Sequence, residues 1–341
     1  MKYVWGFLAA VFVAVGALTL RPDLLPGAEN WVLDTPMAQV MALRVWLAIV
    51  FFGVAIFLFS FAGIRRRLVD SGRIALATAV AYLVMAIFHG GTVYARGIES
   101  PEQLKPDRGV TVAGAGNGEV TVLSFNTLGG SVDMEDLAAS VVRNGVDVLV
   151  LTETATARGE ELVGLLAERG LDFHQFDTGT DRYATEFEST VVLISDSLGE
   201  YAQVEPEGLP GSTVMVVPAN GQGPKIIGVH PFAPVLAHMG RWKSDISAIY
   251  SQCASGPVIM AGDFNSTVDH QMTLGADCTD ARIEAGAGGL GTWPSNLPAL
   301  LTTPIDRVVT DGSYRGVEAV GVPAGGSDHR GIIVRLAPAG D

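Results

Sequence analysis

The chain has 341 residues, of which only 17% are charged, a net charge of −14 and a mean hydropathy of +0.34. That is too apolar for a wholly water-soluble protein. The acidity lies in the second part, where residues 117–341 carry 12 Lys+Arg against 29 Asp+Glu, a net of −17; this argues against non-specific nucleic-acid binding, which needs cations opposite phosphates.

The apolar excess is concentrated at the front. Residues 3–20, 45–64 and 74–95 are uncharged runs of 18, 20 and 22 residues, each long enough to be expected to cross a hydrocarbon core, which takes about 20 helical residues. The alternative for the first run is a signal peptide started by Lys2, but no small-x-small cleavage site follows it. Arg65, Arg66, Arg67 and Arg73 crowd the loop between the second and third runs, so that loop is expected in the cytoplasm. With three spans, the N-terminus is then inside and everything after Ala95 outside. His89, within the third run, is read as an interfacial or helix-packing histidine, with a polar pathway as the alternative.

Residues 1–96 therefore form an expected membrane anchor, and 97–116, with Pro101, Pro106, Gly109 and Gly114, a linker or loosely docked arm. From 117 to 341 short β-rich runs alternate with helical ones. Strands are expected at 120–126, 146–151, 190–195, 213–217, 225–230, 305–310, 316–320 and 331–336, and helices at 134–144, 158–169 and 237–253. Many strands, few helices and long loops indicate an α/β domain of stacked sheets flanked by helices rather than a βαβ repeat.

The stretch 257–266, Pro-Val-Ile-Met-Ala-Gly-Asp-Phe-Asn-Ser, reads as a buried strand that ends at Gly262 and presents Asp263 and Asn265. Two apart in extended chain, these project to one side; the alternative is an Asx-rich turn. Other polar groups fall at expected strand ends. Asn126 ends the first strand, Glu153 follows the second, His230 ends the 225–230 strand, Asp306 lies in the 305–310 run, and Ser327-Asp328-His329 precedes the last strand. Each alone is equally a cap or a turn former. Together they offer oxygen ligands for a hard cation, two imidazoles and carboxylates to orient them, an inventory suited to phosphate-ester hydrolysis. Cys253 and Cys278 are the only cysteines; a disulfide and a pair of buried thiols are both open.

The ordered set Ser-Phe-Asn126, Thr-Glu153, Val-His230-Pro, Gly-Asp263-Phe-Asn265, Thr-Trp293-Pro, Pro-Ile-Asp306-Arg and Ser-Asp328-His329 resembles the endonuclease/exonuclease/phosphatase superfamily over residues 117–341. The resemblance implies two stacked, mostly antiparallel β-sheets in a four-layer sandwich with helices. It implies Glu153 as the main Mg²⁺ ligand (Mn²⁺ as an alternative ion), with Asn126 beside it and Asp328 completing the site. Asp263 would position or deprotonate the attacking water, Asn265 hold a phosphate oxygen, and His329 contact the scissile phosphate with Asp306 behind its ring. His230 would be the second imidazole. Two departures stand out: Arg307 occupies a position that is often His or Tyr, and basic DNA-gripping loops have no counterpart.

Arg241, at the start of a helix, and Trp293 are the expected substrate contacts, with a solvated arginine and a packed indole as the alternatives; Trp242, Arg182 and Tyr183 are further candidates. The three-span anchor also resembles actinobacterial membrane proteins linked to glycopeptide resistance, which implies hydrolysis of undecaprenyl pyrophosphate. The expected partners are a lipid bilayer and a lipid-linked phosphate. An extracellular nuclease, a phospholipid phosphodiesterase and a non-catalytic envelope scaffold or sensor are the alternatives.

Overall fold

In the computed structural model, which describes residues 2–69, 72–106, 118–180 and 186–340, the chain divides between Ala95 and Arg96 into two units. The first holds helices α1 (Lys2–Ala17), α2 (Met37–Met41), α3 (Arg44–Val69) and α4 (Arg73–Ala95). Two of these, α3 and α4, are long and apolar enough to cross a membrane. The expected first span falls short. α1 has 16 residues, about 24 Å at 1.5 Å per residue, and residues 18–20 tighten into i→i+3 turns before Arg21 and Pro22. His89 is fully buried, with Nε2 3.0 Å from Thr19 Oγ1 and Nδ1 3.2 Å from an Arg44 nitrogen; it packs the helices together.

The second unit is built on two six-stranded mixed sheets. The first contains β1 (Val120–Asn126), β2 (Val148–Thr152), β3 (Phe173–Asp177) and β4 (Thr190–Ser195), and the second β5 (Tyr201–Val204), β6 (Val214–Pro218), β7 (Lys225–Val229), β8 (Val258–Asp263), β9 (Thr279–Asp280) and β10 (Asp306–Thr310). β11 (Tyr314–Val322) and β12 (Gly331–Pro338) return to the first, giving the orders β11-β12-β1-β2-β4-β3 and β5-β6-β7-β8-β10-β9. Of the neighbouring strand pairs in these orders, β1–β2 and β7–β8 are parallel and the rest antiparallel.

The sheets stack through a core of Val122, Val150 and Val192 from one and Val216, Ile226, Ile259 and Val308 from the other. Gly228 of β7 is needed at that contact, because a Cβ there would come within 2.7 Å of Val192. The outer face of the first sheet is covered by α5 (Met134–Asn144) and α6 (Thr156–Ala167), whose Leu137, Val141, Leu162 and Leu166 share a core with Leu123, Leu149 and Leu193. Asp133 caps α5 and Gly145 ends it in the left-handed conformation. On the second sheet's side, α7 (Met239–Ser251) buries Trp242, Ile246, Ile249 and Tyr250, and the short α8 (Val268–Thr273) and α9 (Ala281–Glu284) complete the unit.

Residues 96–106 dock on this unit. Arg96 forks onto buried Asp269 at 2.6 and 2.9 Å, Glu99 N–H donates to Gly286 O, and buried Leu104 takes the Asn144 side-chain oxygen at its N–H. Cys253 and Cys278 are joined by a disulfide. Strand β8 runs one residue further than expected, through Asp263, so Gly262 is not a turn. Its φ is +139°, and a Cβ would come within 2.0 Å of the Val229 carbonyl oxygen, so only glycine fits between the parallel strands.

Candidate active site

The two parallel pairs carry their C-terminal ends to a common rim, and the antiparallel partners begin there. Asn126 is the last residue of β1 and Glu153 follows β2, while His230 follows β7 and Asp263 ends β8. Asp306, the first residue of β10, is paired opposite Asp263, and His329 stands two residues before β12. Six residues spread over some 200 positions of chain are thereby assembled.

Asn126, fully buried, bridges two acids: its Nδ2 donates to Glu153 Oε1 at 2.9 Å and to Asp263 Oδ2 at 3.2 Å. Its Oδ1 accepts the Leu128 N–H. Burial raises the pKa of Glu153 and the nearby Asp263 adds to this, against the Asn126 hydrogen bond and the His230 and His329 charges. His230 Nε2 lies 3.7 Å from Glu153 Oε1 and 3.9 Å from Asp263 Oδ2, and His329 Nε2 lies 3.7 Å from the same Asp263 oxygen. The site is thus two carboxylates flanked by two imidazoles, with Asp263 Oδ2 at the centre.

His329 is itself held from behind. Its Nδ1 sits 2.8 Å from Asp306 Oδ2, in a pair where Asp306 is fully buried. Burial alone would lower the ring's pKa, but Asp306, Asp263 and Asp328 outweigh it and raise it to about 10. With Nδ1–H on Asp306, the imidazolium presents Nε2–H to the site. Ser327 ties the segment to β1, its hydroxyl donating to the Asn126 carbonyl and accepting from the His329 N–H.

Asn265 does not continue the strand. Asp263 Oδ1 accepts its N–H at 2.8 Å, closing an Asx turn, and its φ is +45°. Its amide nitrogen donates to the Pro231 carbonyl and its own carbonyl takes the indole N–H of Trp242. Trp242, fully buried, is therefore a support for Asn265 and not a substrate contact. Glu153, at φ +51°, and Leu128, at φ +50°, are the other non-glycine residues with positive φ among those described; that all three lie at the rim fits the usual concentration of backbone strain at functional sites.

Asp328 has its contacts on the His329 side. It is half exposed, with Oδ2 accepting the Trp293 indole N–H at 2.9 Å and Oδ1 3.9 Å from His329 Nε2. Trp293 is 42% exposed and lies beside His329, so it borders the site rather than packing under it. Arg241 is exposed and stacks on the Phe232 ring at 4.1 Å, in the loop after His230. Arg182 and Tyr183 lie outside the described residues. Arg307 points away from Asp306 into the core, where its three arms bond Asp280, Gln271 and Tyr250. Sequence reasoning missed this strut and the Trp242 support, whose only signals are a buried arginine beside a site aspartate and a tryptophan one turn into a helix.

Among the described residues no group of three or more His, Cys, Asp or Glu side chains is already arranged to hold a metal ion. The donor set still suits a hard cation. Glu153 and Asp263 each turn an oxygen to one buried amide, and burial, with the Asp263 charge adding to it, pushes Glu153 toward protonation; a divalent ion relieves that charge.

No curated protein matches the chain. Among solved structures, TDP2 from D. rerio complexed with a single-strand DNA product has a TM-score of 0.50 and 17% identity, covering 64% of this chain and 98% of its own. An endonuclease/exonuclease/phosphatase from Beutenbergia cavernae has a TM-score of 0.49 and 18% identity, covering 65% and 72%. At these identities the likeness to the first is one of fold. Residues 123–329, running from β1 to the histidine of the Asp306–His329 pair, match the Endonuclease/Exonuclease/phosphatase family, and the chain belongs to that family of metal-dependent phosphoesterases.

Proposed function

We propose that this protein is a membrane-anchored phosphohydrolase whose catalytic unit lies on the extracytoplasmic side and acts on a lipid-linked phosphate, with undecaprenyl pyrophosphate as the leading substrate. The observation that carries the hydrolase reading is the gathering of Glu153, Asp263, His230 and His329 at one rim, with Asp306 behind His329. Glu153 and Asn126 would hold Mg²⁺, or Mn²⁺, and Asp328 would complete the set from the His329 side. The ion's chemistry is to neutralise phosphate charge and polarise the phosphoryl oxygen.

The remaining roles belong to the chain. Asp263 Oδ2 accepts a proton from the attacking water, its other oxygen being committed to the Asn265 N–H. The His329 imidazolium donates from Nε2 to a non-bridging oxygen as charge builds in the in-line displacement. Asp306 keeps that ring charged and oriented. His230 faces the same phosphate from the Glu153 side and supplies a second donor, and the Asn265 turn fixes the position of Asp263. Arg241 and Trp293 would contact the substrate's outer parts.

Location supports the lipid. The arginine-rich end of α3 and start of α4 belong in the cytoplasm by charge, which puts the chain after α4 outside whether or not α1 also spans. The Cys253–Cys278 disulfide suits an oxidising compartment. The exposed indole of Trp293, beside Asp328 and His329, suits a substrate with an apolar part. The net charge of −17 over residues 117–341 disfavours DNA.

The test uses full-length protein in detergent with Mg²⁺, following inorganic phosphate released from undecaprenyl pyrophosphate beside plasmid DNA. Phosphate release abolished by Asp263→Ala and by His329→Ala, with DNA intact, is expected. DNA cleavage without phosphate release would replace this reading with a nuclease, and silence on both would remove the proposed substrate.

A further inference from the structure

The second unit also contains a cavity of about 340 Å³ whose walls include none of the six rim residues; it is lined in part by Arg282, Leu290, Val322, Arg330 and Ile332, with exposed Glu99 among them. That volume lies in the range of small-molecule sites, about 300–1,000 Å³. What distinguishes it is Arg282, which is only 5% exposed. Among the described residues its guanidinium makes one hydrogen bond, Nη1 to the Leu290 carbonyl at 2.7 Å, and its buried Nε has no partner. No carboxylate lies within ion-pair distance of it among the described residues. The two acids nearest in sequence are committed: Asp280 Oδ2 pairs with Arg307 Nε at 2.7 Å and its Oδ1 caps the Arg282 and Ile283 N–H groups, while Glu284 Oε2 accepts the Gly316 N–H at 2.8 Å.

Arg307 shows what this fold does with a buried guanidinium when it is purely structural. All three of its arms are bonded, one of them to a carboxylate. Arg282 is as deeply buried and has neither. A buried charge without a carboxylate partner is costly, and burial pushes its pKa down to about 10 although Asp280 and Asp306 act to raise it. Arg330, on the same cavity, gives Nη2 to the Ser295 and Leu297 carbonyls and likewise has a buried Nη1 with no partner.

We propose that this cavity is a second, non-catalytic ligand site, and that it takes a small anion, a carboxylate or phosphate monoester, carrying a short apolar chain. The anion supplies the counter-charge that Arg282 lacks, with Arg330 as the second donor. Leu290, Val322 and Ile332 supply the apolar wall that selects a tail, and guanidinium recognition of carboxylate and phosphate shares one planar, bidentate geometry.

The experiment is calorimetric titration of the full-length protein in zwitterionic nanodiscs, in EDTA, with hexyl phosphate, hexanoate and inorganic phosphate as probes and empty nanodiscs as the blank. Saturation at one ligand per chain is expected for at least one six-carbon probe, tighter than for inorganic phosphate. Arg282→Gln should weaken it at least tenfold, and so should Ala299→Trp, which narrows the cavity while keeping the guanidinium. Asp263→Asn, altered only at the catalytic rim, should bind as the parent does. Absence of saturable binding to all three probes overturns the site. Binding lost in Asp263→Asn but kept in Arg282→Gln and Ala299→Trp assigns the probe to the catalytic rim and overturns it as well. Inorganic phosphate binding as tightly as hexyl phosphate overturns the apolar half of the assignment.

Discussion

The Asp306 carboxylate and the His329 ring meet at 2.8 Å where Asp306 is wholly buried, and they come from the ends of strands in different sheets, Asp306 within β10 and His329 just before β12. The pair therefore forms only once both sheets have stacked. Replacing Asp306 with Asn keeps the shape and removes the charge. Hydrolysis by Asp306→Asn should fall by about 10²–10⁴-fold, the usual range for losing a positioned proton donor, with KM changed far less than kcat. An unaltered kcat would exclude His329 as the donor.

The same pair governs stability in alkali. The folded ring holds its proton up to about 10, against an ordinary histidine value of 6.5. Because the folded state binds this proton more tightly than the unfolded chain, the stabilisation is fully present below about pH 6.5 and is lost as pH rises toward 10. Thermal melting of metal-free protein should show Tm declining across that window, and His329→Gln should flatten the decline. An equally steep decline in the variant would assign it to other groups.

Glu153 is expected to trade stability for function. Burial and the neighbouring Asp263 push its carboxyl toward protonation, so the metal-free fold should weaken as pH rises through that raised value. Glu153→Gln relieves the crowding. Its metal-free Tm should equal or exceed the parent's at neutral pH, while the rise in Tm on adding Mg²⁺ and the hydrolytic activity should both be lost. A Mg²⁺-induced rise as large as in the parent would remove Glu153 from the metal site.

The disulfide closes a separation of 25 residues between the end of α7 and the region before β9. A loop of that size contributes about 3 kcal/mol through restriction of the unfolded chain. Cys253→Ser with Cys278→Ser should lower the denaturation midpoint by a corresponding amount with little change in kcat, since neither sulfur touches the rim. Free alkylation of both cysteines without reductant would show the bridge absent.

Orientation is checked by fusion. A reporter active only outside the cytoplasm, attached at the C-terminus, should be active, and replacing Arg65, Arg66 and Arg67 with neutral residues should reduce that activity by disturbing insertion. A cytoplasm-only reporter active at the same point would reverse the topology.

Much of this was legible along the chain. β1, β4 and α5 have the bounds that apolar patterning indicates, because each is buried against a core that demands a regular period. β3 and β5 were not legible. Phe-His-Gln-Phe-Asp and Tyr-Ala-Gln-Val lie at sheet edges, where one side of the strand has no partner and polar residues are tolerated. The first apolar run was read as a span on composition, and the turns before Pro22 stop its helix short.

The polar residues that end strands were visible in the sequence as an inventory, because strand ends marked by Asn126, Glu153, His230 and Asp263 follow from local burial and turn chemistry. Tertiary structure alone decided their meeting. Parallel pairing in each sheet and the stacking of the two sheets bring Asp263 Oδ2 within 4 Å of both imidazoles. It also decided that Arg307 is a satisfied core strut and Arg282 an unsatisfied one. Local sequence encodes which residues prefer a strand end or an interior; it does not encode distances between strands far apart in the chain, which arise only when the apolar faces of the two sheets close on each other.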